Sequence, residues 1–71
     1  MTLTVGIAAA KYAVCVEMLP AGGWIASYVD ADQRRREFVG LTQDAVKYQA
    51  LAALKALADR AGVSFVIAAD G

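Results

Sequence analysis

Residues 42–70 read TQDAVKYQALAALKALADRAGVSFVIAAD, and this stretch decides the fold. Thr42 is a good helix N-cap, and Asp44 places a negative charge at the positive end of the helix dipole. From about Asp44 to Ala61, Ala, Leu, Lys and Gln dominate and no Gly or Pro intrudes, so a helix is predicted. Arg60 lies in its last turn and Gly62 is a natural residue to end it. At about 100° per residue, Val46, Ala50, Leu51, Ala53, Leu54, Leu57, Ala58 and Ala61 share one side. Lys47 falls inside this apolar arc. Either its stem snorkels from the first turn, or the position faces a site at the sheet's edge. Beyond Gly62, Val63 to Ala69 is a nearly continuous apolar run. Such a run after a helix predicts a strand buried on both faces and parallel to an earlier one.

Upstream, Leu3, Val5 and Ile7 alternate with Thr4, Gly6 and Ala8, which reads as a strand. A second apolar run spans Tyr12 to Leu19. Pro20-Ala21-Gly22-Gly23 is a turn signal, and Trp24 to Val29 resumes β-prone residues, predicting a hairpin. Asp30 to Gly40 is polar and is read as the hairpin end plus a loop. The expected architecture is α+β (α/β in wider usage): one domain over residues 1–71, ordered β-β-β-α-β. Its four-stranded mixed sheet, order 3-2-1-4, carries one helix on one face.

Composition narrows the function classes. The chain has 71 residues, of which 59% are hydrophobic, and its mean hydropathy is +0.47. So small a domain buries only about 60% of its unfolded surface, so an apolar surplus of this kind points to a partner. Seven basic residues balance seven acidic ones, a poor basis for strong nucleic-acid binding. One cysteine and no histidine exclude an internal disulfide and disfavour a zinc site. No uncharged apolar run reaches the ~18 residues of a membrane helix, since Lys11 and Glu17 interrupt the first stretch. The N-terminus lacks a basic lead, so the expectation is a cytoplasmic protein without membrane contact.

The segment Val46-Lys47-Tyr48-Gln49-Ala50-Leu51-Ala52-Ala53-Leu54-Lys55-Ala56-Leu57, then Ala61-Gly62-Val63, then Ile67-Ala68-Ala69-Asp70, resembles the ribonuclease H family. The resemblance covers the first half of a family member. Val5-Gly6-Ile7-Ala8-Ala9-Ala10-Lys11 is similar to the opening of RuvC-like transposases and resolvases, which share that superfamily fold. The resemblance implies carboxylates holding two divalent metals for phosphoryl displacement. Carried over by position, the first acid falls on Ala8 (or Ala9), the second on Lys47, and the third on Asp70. Two of the three are gone, and a lysine at the metal position repels Mg²⁺. The resemblance therefore implies a degenerate, non-catalytic module with no cofactor. Its expected role is protein–protein contact, most simply as a homodimer in which a partner covers the sheet face opposite the helix.

Two alternatives stand beside it. One is a nucleic-acid-binding remnant using Arg34, Arg35, Arg36 and Lys47. The other is a weak Mg²⁺-dependent nuclease in which a second copy completes the ligands around Asp70. The bland readings are a solvated Asp70 and a solvated hairpin edge at Arg34 to Arg36. Cys15 is expected in the core, and Trp24, Tyr12 and Tyr28 in cross-strand pairs rather than stacked on bases.

Overall fold

The computed structural model describes residues 1–70; Gly71 and the side chains of Ala69 and Asp70 lie outside the described residues. The strands are β1 (Thr2–Ile7), β2 (Ala10–Met18), β3 (Trp24–Val29), β4 (Arg35–Gly40) and β5 (Phe65–Asp70), with helix α1 (Gln43–Ala61) between the last two. All pairings are antiparallel, and the sheet order is β4-β3-β2-β1-β5. The fold is α+β, one helix on one sheet.

This corrects the expected four-stranded mixed sheet. The residues read as a loop hold a fifth strand, β4, that takes one edge. The order of the four expected strands survives, with β5 beside β1, but β5 runs antiparallel to β1. One cause explains both differences. An extra strand before the helix reverses the chain direction once more, so the crossover makes β5 parallel to β4 at the far edge.

The helix forms as its termini dictate. The Thr42 hydroxyl accepts from the Ala45 amide at 3.1 Å. Gly62 adopts φ +68° and donates to Asp59 at 3.2 Å, while Val63 N–H donates to Ala58 at 3.1 Å. That double bond pattern is a Schellman close. At the other end Gly40 admits the helix, since a Cβ there would meet Val46 Cγ1 at 3.1 Å.

Alternation sorts the strands into two faces. Leu3, Val5 and Ile7 on β1, Tyr12, Val14 and Val16 on β2, and Ala26 and Tyr28 on β3 are buried beneath Val46, Ala50, Leu54 and Ala58 of α1. Each fully buried Val or Leu contributes roughly 1.5–3 kcal/mol relative to exposure. The helix packs on β2, β3 and β4 and only grazes β1. No second layer covers the opposite face among the described residues. Among the described residues no helix is long and apolar enough to cross a membrane.

Candidate functional site

The positions that the family resemblance assigns to metal do not converge. Ala8 sits in the two-residue turn between Ile7 and Ala10, with φ +53°. That is a left-handed conformation that strains a residue with a Cβ. Gln43 Nε2 lies 3.7 Å from Met1 Sδ, so the helix begins beside the opposite end of β1. Lys47 is one turn along from there. It is half-buried inside the apolar arc, with its ammonium 3.5 Å from Asp44 in water-facing surroundings, as a snorkelling lysine behaves. By backbone register Asp70 stands opposite Thr2, the end of β1 farthest from Ala8; its side chain lies outside the described residues. Antiparallel β5 is the physical reason: only a parallel strand brings its carboxyl end to that of β1. Among the described residues no three His, Cys, Asp or Glu side chains cluster as metal ligands.

The arginine run is divided by the pleat of β4. Arg35 and Glu37 share the open face, where Arg35 Nε bonds Glu37 Oε2 at 3.1 Å and Nη2 donates to Ser27 Oγ at 3.2 Å. Arg36 turns to the helix side and donates to Asp30 Oδ2 at 3.0 Å. Asp30 Oδ1 also accepts the amides of Asp32 and Arg34, at 2.9 and 3.0 Å. The Arg34 amide does most to hold this carboxyl below its ordinary value; Arg36 and the Asp32 amide add to the effect against partial desolvation. Arg34 itself is exposed. The pleat thus places Arg35 and Arg36 on opposite faces of the sheet, each against an acidic partner.

Beneath Arg36 a cleft of about 490 Å³ opens between β3, β4 and the end of α1, bordered by Tyr28, Asp30, Phe38, Leu57 and Arg60. Its floor is aromatic. Tyr28 stacks on Phe38 at 6.1 Å and meets Tyr12 edge-on at 6.2 Å. Burial holds the Tyr28 hydroxyl above its ordinary pKa, with Arg36 pulling the other way. Tyr12 and Tyr28 meet across neighbouring strands as the cross-strand reading expects and are buried, whereas Trp24 takes part in neither ring pair.

Opposite the helix, the sheet presents an open face. Across it run Glu37, Ser27, Cys15 and Thr2, in register from β4 to β1. Beside that row lie Val39 and Ile25 on one side and Val29, Ala13, Thr4 and Ala68 on the other. Val29, Val39 and Val66 are exposed. Cys15 is half-buried here, not in the helix-side core expected of it. Ala68 lies on this face by register, whereas Ala8 and Ala9 belong to the turn and Ala69 pairs with core-facing Leu3. Comparison with known proteins finds no family model, no curated protein and no solved structure that matches this chain.

Proposed function

We propose that this chain is a non-catalytic contact module that works by seating another protein surface on its open sheet face, most simply a second copy of itself. The observation that carries the reading is the uncovered face of a five-stranded sheet. It carries Val29, Val39, Val66 and Ile25 beside small residues and the charged Arg35, Glu37 and Glu17, and among the described residues no element packs on it. Domains of this size are stable when their layers are paired, sheet on helix or sheet on sheet. The separation of Ala8 from Lys47 and Asp70 supports a role other than metal-dependent cleavage, and the paired Arg35, Arg36 and Lys47 favour protein over phosphate contact.

Ala13 is exposed near the middle of this face, on the central strand β2. Light scattering on the wild-type chain is expected to give a multiple of the 7.4 kDa monomer mass. Ala13→Arg, which places a charge where a second layer would sit, is expected to lower that mass while leaving the circular dichroism spectrum unchanged. A wild-type monomer at high concentration, or a mass indifferent to Ala13→Arg, sinks the reading.

A further inference from the structure

The two edges of the sheet are protected very differently. β4 carries Arg35, Arg36 and Glu37, charges of the kind that discourage strand pairing. β5 begins Phe65-Val66-Ile67-Ala68-Ala69, with neither charge nor proline, and Val66 and Ile67 are 60% and 48% exposed.

The hydrogen bonds of the sheet show which backbone groups that edge offers. Met1 and Val16 exchange both bonds, at 3.1 and 2.8 Å. Ala8 N–H donates to Ser64 C=O at 3.3 Å, on the opposite side of β1. Backbone direction alternates along an antiparallel ladder. Odd-numbered residues of β1 therefore bond to β2, and even-numbered ones to β5. Through the register Gly6↔Val66 and Thr4↔Ala68, the even-numbered residues of β5 face β1. The N–H and C=O groups of Phe65, Ile67 and Ala69 point away from the sheet.

From this we propose that β5 pairs antiparallel with β5 of a second copy, about a two-fold axis passing through Ile67. The three outward residues are symmetric about that position. Ile67 exchanges both bonds with its own copy, and Phe65 exchanges with Ala69 in each direction. An edge that matches itself in this way is what an isologous contact requires. The charged β4 edge offers no such match, so pairing through strand edges closes at two chains and ten strands. Ile67 and Phe65 follow the register of Val5 and Ile7, so their side chains stand on the helix side. The two-fold places the Ile67 side chains next to each other there. Both helices lie on one face, and the two open faces merge into one larger surface. This contact uses a different surface from the open-face reading and holds or fails independently of it.

Ile67→Pro removes an outward N–H without touching the β1 ladder, a position at which an edge strand tolerates proline. Light scattering is expected to show the mass halved relative to wild type, whatever Ala13→Arg does. In wild type the Ile67 amide is expected to exchange at least tenfold more slowly at high than at low protein concentration. The exchange measurement decides the matter if the proline variant fails to fold. An unchanged mass in folded Ile67→Pro, or an Ile67 amide that exchanges freely at all concentrations, overturns the pairing. With the open face blocked by Ala13→Arg, a ladder of masses growing with concentration overturns it too, since it would mean that β5 joins a different edge.

Discussion

Asp30 shows how one side chain builds a strand connection. Its carboxylate takes the Asp32 and Arg34 amides and the Arg36 guanidinium, while its own amide donates to Arg34 C=O at 2.9 Å and Gln33 turns left-handed at φ +65°. The three bonds to the carboxylate favour the ionised form, so the folded chain holds this proton less tightly than the unfolded chain does. The linked stability is present above the ordinary carboxylate value of 3.8 and is lost as pH falls through the lower folded value. Urea midpoints measured from about pH 6 down to about pH 2.5 are expected to fall in wild type, and to fall less in Asp30→Asn. Equal slopes would show that the carboxylate does not organise the turn. At this scale the sequence offered the right residues with the wrong weight. Asp30 and Asp32 after Val29 are turn formers, but beside three arginines they read as a polar loop. Lys47 was legible in its placement, since helical spacing alone puts it inside the apolar arc, while the choice between a snorkelling stem and a site-facing side chain stayed open in the sequence.

Among the elements, α1 was the most readable and β4 the least, for opposite reasons. The helix announces both ends through residues with a local mechanism. Gly62 at φ +68° has open space around its missing Cβ, so an alanine there meets no clash and the cost is conformational alone. Gly62→Ala is expected to destabilise the fold by about 1 kcal/mol, measured as a shift of the urea midpoint with unchanged slope. A neutral result would mean that the helix ends without the left-handed residue. By contrast β4 carries Arg-Arg-Glu at its start, and only Arg36, Phe38 and Gly40 look inward. Its pattern is set by an edge position, where charge on both faces is tolerated and hydrophobic alternation is weak. The surviving signals are Phe38-Val39 and the turn residues before them.

Over the whole molecule, one unread strand changes the reading of the site. With three strands before the helix, the last strand is parallel to β1 and the positions of Ala8 and Asp70 meet at one end. With four, the polarity reverses and they part. From Thr2, opposite Asp70, to Ala8 is six residues of extended chain, about 20 Å at ~3.4 Å per residue. Lys47 lies on the helix side near the Met1 end, away from Ala8. A Mg²⁺ ion needs its carboxylate oxygens at about 2.1 Å in near-octahedral array, which groups so separated do not supply. The double substitution Ala8→Asp with Lys47→Glu therefore provides a decisive test of the topology. It restores every residue type implied by the ribonuclease H resemblance, yet it is expected to yield no calorimetric heat with millimolar Mg²⁺. Thermal midpoints with and without the ion are likewise expected to coincide, because a ligand bound to the folded state must raise them. Mg²⁺ binding in the double variant, lost again on adding Asp70→Asn, would require β5 to run parallel to β1. The open face and the β5 edge would then both have to be reassigned, since each follows from the strand order and polarity that this experiment probes.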